Sequence, residues 1–309
     1  MKFKELKYDK LNTYPLNKRK SKVNIDDFFN FNGENFIDQI PNILAAKEVK
    51  EIIEHTVNAH KKSKKIVVAM GAHVIKVGLS PLINKLIKNK VISHIAFNGA
   101  AIVHDVEIAI NGATSEDVDE ALKKGEFGMS EETNSLINNA INSGFVEGIG
   151  LGETIGKWLT NSDYRYKDFS IFATAYQHNI PITVHVAVGT DIIHMSPEAN
   201  GSAIGEGSLK DFKIFANTIK DLQDGVFFNI GSAVVLPEIF LKAVTLVRNL
   251  NFKVDRFITV NLDFIKQYRP LTNVVNRPVQ NGGKGYYIIG HHEIMLPLIF
   301  LNVLQRINL

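Results

Sequence analysis

The 309-residue sequence contains no cysteine. That excludes disulfides, thiolate zinc sites and cysteine nucleophiles, and it fits a reducing compartment. No run of eighteen apolar residues occurs, and the first ten residues, MKFKELKYDK, lack an apolar core of signal-peptide length. The expectation is a cytoplasmic protein with no membrane partner. An excess of one charge sign is missing too: 35 basic residues face 32 acidic ones, for a net +3. So small and dispersed a charge argues against a nucleic-acid partner. Tryptophan is present once, as Trp158, and packing accounts for it. A hydrophobic content of 45% in a chain of this length is enough to bury the core of a large domain.

What is present is organised around residues 65–113. The apolar run Ile66-Val67-Val68-Ala69-Met70 has the length of a strand buried on both faces and stops at Gly71-Ala72. Leu79, Leu82, Ile83, Leu86 and Ile87 recur at helical spacing. A second apolar run, Val91 to Phe97, ends at Asn98-Gly99, and Val103, Val106 and Ile110 then suit a helix. This βαβα pattern predicts parallel neighbouring strands joined by a right-handed crossover. Ligands of such sheets sit beyond the carboxyl ends of the strands, which places Gly71, Gly78, Asn98, Gly99, His104 and Asp105 on one rim.

The same grammar recurs along the chain. Residues 1–35 read as a polar arm with a basic cluster at Lys18-Arg19-Lys20-Ser21-Lys22, either a phosphate-binding arm or a solvated subunit contact, and 36–309 as one α/β domain. Helices are predicted over 36–63, and Thr114 to Asp117 and Phe127 to Thr133 read as turns with helix caps. The glycine-rich stretch 144–157 reads as a loop between helices, because no strand precedes its Gly150-Leu151-Gly152. Further strands are predicted at Pro181–Val188, Val226–Ile230, Phe257–Val260 and Tyr286–Ile289. Gly201 to Ser208 reads as a small-residue loop opening a helix that carries Asp211.

These turns, in this order, resemble those of the deoxyhypusine synthase family, whose fold is a Rossmann-like α/β, mostly parallel sheet with helices on both faces. Gly71 to Ile110 aligns without a gap on the family's first dinucleotide-binding segment, with Gly78 in its first loop and Asn98 to Asp105 in its second. Glu206-Gly207-Ser208-Leu209-Lys210-Asp211 is similar to a family stretch whose first acid contacts the cofactor and whose last contacts a polyamine. Gly231-Ser232-Ala233 falls where the family has three glycines, and Gly290-His291 falls near the adenine side of its cofactor. The resemblance implies NAD as cofactor. It implies Gly71, Gly78, Asn98, Gly99, Glu206, Gly231, Ser232, Asp263 and Gly290 as cofactor contacts, and a homo-oligomer, tetrameric as in the family.

Departures from the family limit what carries over. The family's catalytic lysine, in a Trp-Gly-Lys context, has no counterpart; the corresponding stretch runs from Asn273 to Pro278 and offers Arg277, whose guanidinium is too poor a nucleophile to form an imine. Lys284, flanked by glycines, is the nearby substitute or a mobile loop charge. One acidic residue of the second loop is replaced by His104. Authentic deoxyhypusine synthesis is therefore not expected. Expected instead is a transferase or oxidoreductase acting on a small polar or amine-bearing substrate, with His104, Asp105, Asp211, His291 and Lys284 as catalytic candidates. In this reading the nicotinamide accepts a hydride while His104 or His291 handles the proton.

Two other readings stay open at this point. His185, Asp191, His194, His292 and Glu293 could converge as ligands of zinc, iron or manganese in a hydrolase or isomerase. Alternatively the chain is a catalytically silent paralogue that binds a nucleotide or a protein partner. His73 and Lys76, beside Gly78, could approach a cofactor phosphate or be ordinary first-turn polar residues.

Overall fold

The computed structural model describes residues 4, 10–15, 18–19, 24–30 and 35–308. Its contacts separate residues 1–47 from residues 48–309. In the first, a short turn at Ile25–Asp27 and helix α1 (Phe36–Gln39) are tied by backbone bonds from Asn42 to Asp27 and from Asn30 to Gln39. Lys20, Ser21 and Lys22 of the basic cluster lie outside the described residues. Helix α2 (Leu44–Lys61) leads into the second group.

Among the described residues six strands form one parallel sheet: β1 (Ile66–Met70), β2 (His94–Asn98), β3 (Ile182–His185), β4 (Val226–Ile230), β5 (Ile258–Asp263) and β6 (Lys284–Ile289), in the order β3-β2-β1-β4-β5-β6. The order reverses between β1 and β4, and open sheets of this kind bind ligands at that switch point. Every residue of β1 and β4 is buried, as expected of continuous apolar runs covered on both faces.

The connections are helical. After β1 come α3 (His73–Lys76) and α4 (Ser80–Lys88); after β2 come α5 (Ala100–Asn111), α6 (Val118–Lys124), α7 (Glu131–Glu147), α8 (Leu151–Thr160) and α9 (Ile171–Gln177). Helix α10 (Gly201–Ile219) follows β3, and α11 (Val235–Asn249) follows β4. Helix α12 (Tyr268–Pro270), widening into π-turns over Leu271–Asn276, follows β5, and α13 (His292–Arg306) follows β6. On one face Val67, Ala69 and Phe227 pack with Phe215 and Ile219 of α10 and Phe240 and Val244 of α11. On the other, Phe97 stacks on Phe172 of α9 at 5.6 Å, and Phe228 meets Phe300 of α13 at 5.3 Å.

The glycine-rich stretches depart from expectation. Between α7 and α8 only three residues, 148–150, leave the helix, because Gly152 and Gly156 let α8 lie backbone to backbone on its neighbours: an added Cβ at Gly152 would stand 1.9 Å from the Ile182 carbonyl. Gly201 to Ser208 is not a loop but the first turns of α10, capped by Asn200, whose side chain accepts from the Ser202 and Ala203 amides. The cap near 114 is Asp117 rather than Thr114. Lys284 begins β6, so it is no loop charge.

Candidate active site

The sequence-predicted residues separate into four places. One of them combines a cavity with a base. That cavity, about 220 Å³, opens beyond the carboxyl end of β2 and is lined by His104, Glu107, Lys76, Glu116, Asp191 and Phe127 among others. His104 lies on the first turns of α5, which Gly99 begins as its N-cap. His104 Nδ1 is 2.7 Å from Thr114 Oγ1, and the Thr114 hydroxyl donates to Glu107 Oε2 at 2.5 Å. The other Glu107 oxygen accepts from Thr133 at 3.1 Å. Burial, reinforced by the Lys76 charge, lowers the His104 pKa to about 4, so the ring is neutral near pH 7 and has a lone pair to offer.

Asp191 reaches the same cavity from the segment after β3. Its carboxylate rests on Gly99, where an added Cβ would stand 1.9 Å from Oδ2. Its Oδ2 has no hydrogen-bond partner, and burial raises its pKa against the opposing pull of His194. His194 Nδ1 accepts from the Gly189 and Asp191 amides, which leaves Nε2 facing Asp191 Oδ2 at 4.0 Å.

The second place is the switch point. Gly71 packs on Gly231, whose φ of +63° a glycine adopts without strain, and the His292 ring covers Gly231. His292 Nε2 meets the Leu262 carbonyl at 3.2 Å, and burial lowers its pKa. His73, Phe264 and His292 form a ring cluster with centroids 5.6–6.5 Å apart. Ser232 accepts from the Leu236 amide at the start of α11, and Asp263 ends β5, accepting from the Phe264 amide. Gly290 and the exposed His291 follow β6, with His291 3.9 Å from Glu293. Four strand spacings separate β2 from β6, about 19 Å. His291 does not line the cavity that holds His104, so the two proton-handling candidates lie in different places.

The third place is structural. Asp105 turns inward and holds the start of α9, accepting from the Ser170 hydroxyl and, at 2.8 Å, from the Ile171 amide. Asp211, fully buried, accepts from the Gly152 amide at 2.9 Å and the Val184 amide at 2.8 Å. His185 meets Thr183 at 3.1 Å inside the core. Neither Asp105 nor Asp211 lines the cavity. Glu206 is exposed on α10. The proposed metal ligands are spread over these places, and among the described residues no three histidine or acidic side chains form a metal-sized group.

Lys284 occupies the fourth place, at the opposite edge of the sheet. It pairs with Glu51 at 2.6 Å and, as the first residue of β6, lies about 16 Å of strand from the carboxyl end. It does not line the cavity that holds His104. Arg277 is held by Asn273 at 2.9 Å. Sequence reasoning missed Glu107 and Thr114; the i, i+3 spacing from His104 to Glu107 was the available signal.

No family model and no curated protein matches the sequence. Solved structures do match. ArgZ, an arginine dihydrolase from the ornithine-ammonia cycle in cyanobacteria, superposes with a TM-score of 0.53 and 15% identity over 85% of this chain and 33% of ArgZ. AgrE, in its ternary complex with ornithine and NAD+, gives 0.52 and 13% over 85% of this chain and 33% of AgrE. A candidate deoxyhypusine synthase from Entamoeba histolytica gives 0.51 and 13%, over 84% of this chain and 87% of that one. The fold is deoxyhypusine synthase-like. This chain spans about a third of the length of ArgZ and AgrE. At such identities the likeness is one of fold.

Proposed function

We propose that this deoxyhypusine synthase-like chain is an NAD-binding enzyme that acts on a small polar, amine-bearing substrate, with the dinucleotide along the carboxyl edge of the sheet and the substrate in the His104 cavity. The observation that carries the reading is a histidine, anchored through Nδ1, in a cavity beside the strand ends where this fold binds ligands. The edge suits a dinucleotide. Val234, Phe264, Ile265 and Ile289 are 47–56% exposed there and offer apolar surface to flat rings. His73 and Lys76 flank the Gly78 turn, where an added Cβ would meet nothing within 4 Å. AgrE, which shares the fold, has been crystallised with NAD+ and ornithine.

Bound NAD would supply a hydride acceptor. The chain's own residues do the rest. Asp191, Glu107 and Glu116 outnumber Lys76 among the charges lining the cavity and favour a cationic amine. His104 Nε2 accepts the proton released from that amine's nitrogen. The reading is tested by calorimetric titration with NAD, with His73→Ala and Phe264→Ala as edge variants. Saturable binding weakened by both is expected, together with about 2.7 kcal/mol of stabilisation at a hundredfold excess over Kd. No heat and no thermal stabilisation at millimolar NAD would overturn it.

A further inference from the structure

We infer that Glu107, acting through Thr114, is the positioning residue that holds His104 in its Nδ1–H tautomer and thereby makes Nε2 the base. The inference rests on the reading of His104 as the base. Thr114 has one hydroxyl proton, and it is directed to Glu107 Oε2 at 2.5 Å. The Thr114 oxygen can therefore only accept from the ring, so the contact at 2.7 Å requires a proton on Nδ1. Glu107 is fixed from its other oxygen by Thr133, whose hydroxyl also lies 3.0 Å from Ser130, the N-cap of α7. The carboxylate is thus fastened by two segments outside α5, and it sits one helical turn from the histidine it steers.

The consequence is an ordered acid–base unit. When Nε2 takes a proton, the bond from the donor atom to that proton breaks, the N–H bond forms, and Nδ1 keeps its own proton. The positive charge then rests one hydroxyl away from a carboxylate, as in other oriented histidines. The charged groups facing the cavity around the ring are Lys76, Glu107, Glu116 and Asp191.

The test is a long-range 1H–15N correlation spectrum of the full chain labelled at histidine nitrogens, recorded near pH 7 without ligand. The His104 signals are assigned by their loss in His104→Gln. The wild type should show a protonated Nδ1 and an unprotonated Nε2. Thr114→Val and Glu107→Leu, each removing one link, should shift the ring toward Nε2–H, and Thr114→Ser should restore the wild-type pattern. A wild-type ring protonated on Nε2, or an unchanged Nδ1–H ring in both Thr114→Val and Glu107→Leu, would overturn the inference. Because no cofactor is present, a failed NAD titration alongside the expected tautomer shifts would remove the cofactor and leave the positioning unit standing.

Discussion

Replacing Asp211 with asparagine should make the protein relatively more stable at pH 8 than at pH 5. Asp211 lies within the core, its Oδ1 has no partner, and burial outweighs the amides of Gly152 and Val184 to raise its pKa from 3.8 to about 7. The unfolded carboxyl ionises near 3.8, so between that value and 7 the folded chain keeps a proton that the unfolded chain has lost. The folded state binds more protons in this window; stability falls as pH rises through it and levels off above 7. From pH 5 to pH 8 this amounts to about 2.5 kcal/mol, at 1.36 kcal/mol per unit up to the folded pKa. Asparagine imitates the neutral acid and has no such dependence. Other titrating groups, including His94 and His185 with pKa lowered by burial to about 3 and Asp105 raised to about 6, contribute equally to both proteins and cancel in the difference. Urea unfolding at the two pH values, with m unchanged, measures the quantity. If Asp211→Asn shifts stability by the same amount at pH 5 and pH 8, the carboxylate is ionised throughout and the two amides outweigh burial.

Four further outcomes are expected. Lys76→Met should raise the His104 pKa from about 4 but leave it below 6.5, since burial is the larger cause; histidine ring shifts followed by NMR over pH 3–8 read this. Gly205→Ala, in open space on α10, should stabilise the chain by about 0.5–1 kcal/mol. Gly152→Ala, which meets the Ile182 carbonyl, should cost about 3 kcal/mol, and chemical denaturation separates the two. Lys284→Ala should leave NAD binding unchanged and cost under about 1 kcal/mol, as an exposed pair at the far edge does; a lost NAD heat would return Lys284 to the site.

The parts of the fold that the sequence made legible are those with a single physical cause. Ile66–Met70 and Val226–Ile230 are buried on both faces, so they had to be continuous apolar runs. Strand ends were harder: β5 extends through Asn261 to Asp263 because Asn261 finds Asn229 across the sheet, a partner no local pattern shows. Gly201 to Gly207 looked like a loop because glycine weakens an isolated helix, whereas here the Asn200 cap and close packing on Leu151 decide. His104 could be picked out because it follows a strand. Its partner Thr114 could not, because the loop after α5 brings it back only in three dimensions. The strand order that separates His104 from His291, and the strand start that removes Lys284, are properties of topology rather than of any window of residues.

The carboxylate of Asp211 has one more effect. Strand β3 lies at the end of the sheet, where its outward amides would otherwise face a vacant hydrogen-bonding position. Val184 donates to Asp211 and Val186 donates to Ser208, both on α10. A helix thus occupies two of the donors that a seventh strand would need. Edge-to-edge association, a common route from parallel sheets to aggregates, is blocked on that side.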